Sequence, residues 1–437
     1  MTSPKTMLVS VGGSPEPVIF SLNQRRPEYV IYFTSRASRK TVRESIEPAL
    51  EYKPRDHEII VTPDEEDLGA SVAELLREVP RILDLWEVNF SDVVGDYTGG
   101  TKTMSAALVL ALAERGCPYS YVGGKSRSKE GLGVVLSGHE KMLFLDNPWD
   151  ALAVGPCRDA ALLFNRCRFM SVRDLAARTA GRTERHRPFF EALQHLAEAY
   201  YAWDNFHYGR ALGALKRGES LLRGYASASA NNAVRRFYAS VEANRPLLER
   251  VNTEVDLLVK STPRKKDLDS QPSCASPPVL VIDLVANAER RATIEYKFDD
   301  AVARLYSAIE KLAKHRLLVA HGIDNSNVDL ARVPEARHED LKACVNPRED
   351  GKIQIPLHKS YELLHALGDP LGSAYSSCEA ELRKVLGVRN TSLLAHGFTP
   401  VSEETYTKLF GIALVFLGLK VDELPKFPLL DFGGEGL

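Results

Sequence analysis

Cysteine is scarce in this chain of 437 residues: six, scattered, with no CxxC pair and no Cys/His cluster. That spacing excludes a disulfide framework and a zinc-finger type of site, and it fits a reducing cytoplasm. Long apolar runs are also missing. The longest, 409–419, falls short of the roughly 18 residues a membrane span needs and reads as a buried helix. No basic segment precedes the first apolar run at 7–11, so no secretory leader is expected. Nor is there an excess of charge: 56 basic and 58 acidic residues leave a formal charge of −2. A globally basic nucleic-acid coat is thereby excluded, and any nucleic-acid site must be a local patch.

The length is enough for two or three domains. Over the first third, apolar β-type runs at 7–11, 29–33, 57–61, 92–94 and 119–122 alternate with helical patterns at 39–49, 68–79 and 103–115. That alternation predicts a parallel sheet with helices on both faces. Segments 131–136 and 141–145, split by Ser137-Gly138-His139, read as a closing hairpin. From about 150 the β signal disappears. Helical patterns at 191–201 and 210–222 follow, then a stretch rich in Pro, Ser and charge between Lys260 and Pro278 that reads as a linker. Apolar residues then recur near period 3.6 from Val285 to Ala313, with further helices near 357–367, 378–388 and 404–419. The expected organisation is an α/β domain over 1–146, a helical middle over 147–259, a linker over 260–278 and an all-α domain over 279–437.

Two glycine-rich loops follow strands of the α/β part. One is Ser10-Val11-Gly12-Gly13-Ser14-Pro15; the other is Asp96-Tyr97-Thr98-Gly99-Gly100-Thr101-Lys102. Ligands of open parallel sheets bind beyond the carboxyl ends of the strands, where both loops are expected to lie. Glycine lets the backbone approach a ligand closely, Thr98 and Thr101 can cap the following helix, and its N-terminus together with Lys102 favours an anion. Gly95 and Gly100 have P-loop separation, but Thr101 stands where Lys should follow.

The second loop, paired with the first, resembles the CRISPR-associated Rossmann-fold (CARF) domain. That resemblance implies a Rossmann-like fold and a homodimer binding cyclic oligoadenylate across its dyad. It makes Ser10, Gly12, Gly13, Ser14, Thr98, Gly99, Gly100, Thr101 and Lys102 ligand-site candidates, with Thr34-Ser35-Arg36 as a third wall.

Three Arg-x4–6-His spacings occur, about the two or three that chance allows. Arg316–His321 has an offset that turns the side chains apart on a helix, and Arg332–His338 is interrupted by Pro334. Arg389–His396 spans seven residues, close to two helical turns, and is expected to bring both side chains to one face, with Gly397 and Pro400 ending the helix. Histidine suits proton transfer near neutrality, and arginine offers a permanent charge to phosphate oxygens. RNA cleavage by the neighbouring 2′-hydroxyl needs just those services and no metal.

The segment resembles the Rx4–6H motif of HEPN ribonucleases. CARF, helices and HEPN in one chain resemble the stand-alone ribonucleases of type III CRISPR systems. The resemblance implies an all-α HEPN domain, catalysis by Arg389 and His396 with Asn390 orienting them, no cofactor or metal, and a 2′,3′-cyclic phosphate product. It further implies activation by cyclic oligoadenylate (tetra- favoured over hexa-adenylate), a homodimer, a single-stranded RNA substrate and no membrane association.

Two other readings compete. Asp283, Glu295 and Lys297 mimic the magnesium-binding pattern of restriction-type nucleases, with 293–298 alternating like a strand. Residues 171–182, with a basic neighbourhood, suggest a helix-turn-helix and a ligand-gated transcription regulator.

Overall fold

The computed structural model describes residues 4–124, 140–260, 277–345, 351–394 and 397–432. The chain divides into two compact units, Met1–Asp159 with Leu175–Phe190 and Phe432–Leu437, and Ala160–Asp174 with Glu191–Asp431.

In the first unit, six strands form one sheet in the order β3-β2-β1-β4-β5-β6. They are β1 Thr6–Val11, β2 Tyr29–Thr34, β3 Asp56–Val61, β4 Val93–Asp96, β5 Tyr119–Gly124 and β6 Glu140–Leu145. The first five run parallel, and β6 is antiparallel to β5. β1 and β2 are buried along their whole length, as strands covered on both faces must be. Side chains alternate between the two faces. Leu8, Ile31, Phe33 and Ile60 pack with residues of helices Leu68–Leu85 and Lys102–Ala113. Met7, Val9, Val30 and Tyr32 pack with Val18 and Leu22 of helix Glu16–Arg25 on the other face. The chain proceeds outward from β1 to β3 and returns on the far side of β1 with β4. The β1 and β4 loops therefore flank the point where strand order reverses.

Two local expectations differ from this outcome. The helix expected over 39–49 is broken into Arg39–Thr41, a π-turn at Val42–Ile46 and a 3-10 turn at Glu47–Ala49. Pro48 has no N–H to continue an α-helical ladder, and the Glu47 amide reaches back to the Val42 carbonyl instead. The strand expected at 141–145 pairs with β5; its expected hairpin partner, 131–136, lies outside the described residues.

The second unit is helical. After helix Arg187–Asp204 come helices Tyr208–Ala228 and Asn232–Lys260. Then follow Val279–Thr293, Phe298–His321, Leu357–Ala366, Pro370–Asn390 and Glu403–Leu417, which share one core. Most of the expected linker, 261–276, lies outside the described residues. The apolar period read as continuous from Val285 to Ala313 belongs to two helices. Tyr296, with φ 57° and 75% exposure, sits in the turn between them. Ala288 and Ala292 before the turn and Ala301 and Leu305 after it bury into the same core, so the count runs on although the chain reverses. Residues 171–180 lie in a single helix, Phe169–Ala180, and not in two helices with a turn.

Candidate functional site

At the carboxyl end of the sheet the two glycine loops touch backbone to backbone. Ser10 is buried, and its hydroxyl donates to the Gly99 carbonyl at 2.7 Å. A Cβ on Gly99 would lie 2.4 Å from the Ser10 carbonyl oxygen, and one on Gly12 2.8 Å from the Gly100 nitrogen. Gly100 has φ +80°, a conformation that glycine adopts without strain. These glycines are there because the loops interlock. Ser10 serves that interlock, while Gly13, Ser14, Thr101 and Lys102 are exposed.

Thr101 caps helix Lys102–Ala113 as expected: its Oγ1 accepts from the Met104 amide at 3.1 Å and donates to the Glu65 carbonyl at 3.0 Å. Thr98 does not cap. Its Oγ1 accepts from the Val122 amide at 2.9 Å and ties the loop to β5. Lys102 occupies the first helical position, where the helix dipole disfavours a cation unless an anion joins it. Thr34 and Ser35 are buried, Arg36 is exposed, and Ser38 secures this third wall by donating to the Val11 carbonyl at 2.9 Å.

One organiser escaped the sequence reading. Asp96 is fully buried and accepts from Ser21 Oγ (2.5 Å), Ser120 Oγ (2.8 Å) and the Thr98 amide (2.9 Å). It holds helix Glu16–Arg25, β5 and the glycine loop together. The available signal was a carboxylate closing an otherwise apolar strand, Val93-Val94-Gly95-Asp96.

In the helical unit, Arg389 lies in the last turn of Pro370–Asn390. The helix stops at Asn390, so the helical continuation expected beyond Arg389 is absent over 391–394. The Thr391 hydroxyl takes the Val388 carbonyl at 2.9 Å, and the Ser392 amide tightens onto the Arg389 carbonyl at 3.0 Å. Such local polar competition ends helices. The chain then closes a loop: Leu393 N–H bonds the Thr399 carbonyl (3.2 Å) and Gly397 N–H the Ser392 carbonyl (3.0 Å). A Cβ on Gly397 would lie 1.9 Å from the Thr391 oxygen. His396 lies outside the described residues.

The half-buried Arg389 guanidinium sits over the Tyr306 ring, 4.4 Å from its centroid, and donates to Asn390 Oδ1 at 3.2 Å. Among the described residues it forms no ion pair. Arg383, six residues earlier on the same helix, is engaged by Glu379 (2.8 Å) and Glu362 (3.0 Å).

The other spacings resolve differently. Arg316 Nε and His321 Nε2 converge on Asp369 Oδ2, at 2.7 and 2.9 Å, instead of turning apart. Asp369 also caps helix Pro370–Asn390 by accepting from the Leu371 amide. Arg332 and His338 are separated by irregular turns, as Pro334 implied. The restriction-type pattern dissolves. Asp283 lies on a helix, fully buried, accepting from Trp203 Nε1 (3.0 Å) and Tyr208 Oη (2.9 Å). Burial pushes its carboxyl above the ordinary range. Glu295 is gripped by Arg291 and Lys297, each at 2.5 Å. Tyr200 and Trp203 are packing residues, both buried and stacked on one another.

Two family models match the chain: the Csm6 6H domain over residues 152–248 and the Csm6 HEPN domain over 274–419. Together they span more than half of it. The chain belongs to the Csm6 family of CARF–HEPN proteins. Arg389, Tyr306 and the Arg316–His321–Asp369 cluster all fall inside the HEPN match of this Csm6-family chain.

Among solved structures, Enterococcus italicus Csm6 bound to cyclic hexa-2'-fluoro-hexa-dAMP is 11% identical, with a TM-score of 0.49, covering 94% of this chain and 93% of that one. Protein VC1899 from Vibrio cholerae is 10% identical (TM-score 0.25), covering 39% and 50%. Can2 from Sulfobacillus thermosulfidooxidans, in complex with cyclic tetra-adenylate, is 15% identical (TM-score 0.23), covering 40% and 50%. No curated protein matches the chain.

Proposed function

We propose that this Csm6-family chain is an endoribonuclease of type III CRISPR antiviral defence, acting in the cytoplasm as a homodimer and switched on by cyclic oligoadenylate. The ring binds the interlocked glycine loops, with tetra-adenylate the activator ahead of hexa-adenylate. Gly12, Gly13, Gly99 and Gly100 provide close backbone approach, Ser14 offers a hydroxyl, Thr101 caps the helix start that faces the ring, and Lys102 answers the phosphates. Ser10 and Thr98 hold the loops in register.

Cleavage is assigned to Arg389 and His396, with Asn390 orienting the arginine. His396 moves the proton of the RNA 2′-hydroxyl, Arg389 stabilises the charge gathering on phosphorus, and a 2′,3′-cyclic phosphate is left without any metal. Two copies facing across the dyad would supply two such pairs.

The observation that supports this most is the state of Arg389. It is half-buried, held by an aromatic face and an amide oxygen, and paired with no carboxylate among the described residues. Its charge is thus left for a phosphate. The test is product-end analysis on single-stranded RNA cut by the full chain. Cyclic phosphate ends, absent with R389A and H396A, are expected. Fragments ending in 3′-hydroxyl would overturn the mechanism.

A further inference from the structure

Tyr306 stands on helix Phe298–His321, at the edge of the buried stripe formed by Val302, Leu305, Ile309 and Leu312. It packs against the hydrophobic core of the HEPN match. The ring also meets the Arg389 guanidinium, 4.4 Å from the centroid. Burial and the carboxylate of Glu310 raise the phenol's pKa, so Tyr306 is a neutral platform near neutrality.

An arginine side chain at a helix end has several rotatable bonds and strays unless something holds it. The usual holder is a carboxylate, and this unit uses carboxylates freely. Arg290 and Arg291 are held by Asp204, Arg304 by Asp300, and Arg337 and Arg383 by Glu362. A carboxylate would neutralise the charge that a phosphate needs. An aromatic face holds the guanidinium while leaving its N–H groups free around the rim, because cation–π attraction acts perpendicular to the plane. Only Nη1 donates to Asn390 Oδ1, which leaves other N–H groups for phosphate oxygens.

We infer that Tyr306 is a positioning residue for RNA cleavage: its ring face fixes the Arg389 guanidinium without neutralising it. This rests on the catalytic assignment of Arg389. Orientation of a charged group is felt in the transition state more than in substrate binding. Loss of the platform should therefore lower kcat and leave KM nearly alone.

The test uses the full chain with saturating cyclic oligoadenylate and single-stranded RNA. Replacing Tyr306 with phenylalanine, 4-fluoro- and 3,4,5-trifluorophenylalanine drains the ring's negative face at nearly constant shape. Y306F should stay within about twofold of the parent, and kcat should then fall stepwise to about tenfold below it, with KM within about twofold. Y306L should lose at least as much kcat at unchanged melting temperature. A flat fluorination series with R389A inactive would overturn the positioning role and leave the ribonuclease reading standing. Full activity of R389A would overturn both.

Discussion

At the scale of single residues, the N-terminal unit turns on Asp96. A buried carboxylate is tolerable only when its lone pairs are taken, and three donors take them here. D96A leaves those donors unanswered and is expected to destabilise the unit by roughly 2–4 kcal/mol, with loss of the response to cyclic oligoadenylate. Denaturant unfolding and activator titration would measure both. D96N, which keeps an acceptor for the Thr98 amide, should lie between. A D96A protein of parental stability and response would contradict the role. Part of this residue-level picture was legible in sequence: the loop glycines and the capping Thr101 announce themselves by type and position. Asp96 and Tyr306 do not. Their importance comes from partners such as Ser21, Ser120 and Arg389, which meet them only once the chain has folded.

At the scale of elements, apolar runs bounded by turn residues located every described strand of the sheet. Failures came where a local competitor beat the periodic signal. Pro48 broke the helix expected over 39–49, the turn at Tyr296 hid inside a helical period, and Thr391 with Ser392 ended the arginine's helix early. The two helices flanking the Asp369 cluster are joined by that carboxylate. It accepts from Arg316 and His321 on Phe298–His321 and caps Pro370–Asn390. Burial pushes its pKa up, but His321, Arg316 and the Leu371 amide outweigh burial and hold it below the ordinary value. A carboxyl depressed on folding stabilises the native state above its unfolded pKa, near 4, and ceases to as pH falls through the lower folded value. D369N should therefore weaken the helical unit by about 1–3 kcal/mol at neutral pH, with the difference from the parent shrinking below about pH 4. Paired melts across that range would check it. A difference that grows on acidification would contradict the clamp.

At the scale of the whole molecule, one unit carries an anion-ready pair of loops and the other an arginine without an ion pair among the described residues. A ring can govern cleavage only by binding the active arrangement more tightly than the resting one. Even a tenfold activation requires about 1.4 kcal/mol of differential binding. K102A, which removes the exposed cation at the helix start, is expected to raise the ring concentration for half-maximal cleavage by about tenfold or more while leaving the maximum rate in place. An unchanged titration would remove Lys102 from the site. The most direct test is the rate at which the full chain cuts single-stranded RNA in excess EDTA, with cyclic tetra-adenylate, with cyclic hexa-adenylate and with neither. The expected result is cleavage that one ring, tetra-adenylate first, accelerates at least tenfold and that EDTA leaves intact. Cleavage indifferent to both rings, or abolished by EDTA, would contradict it.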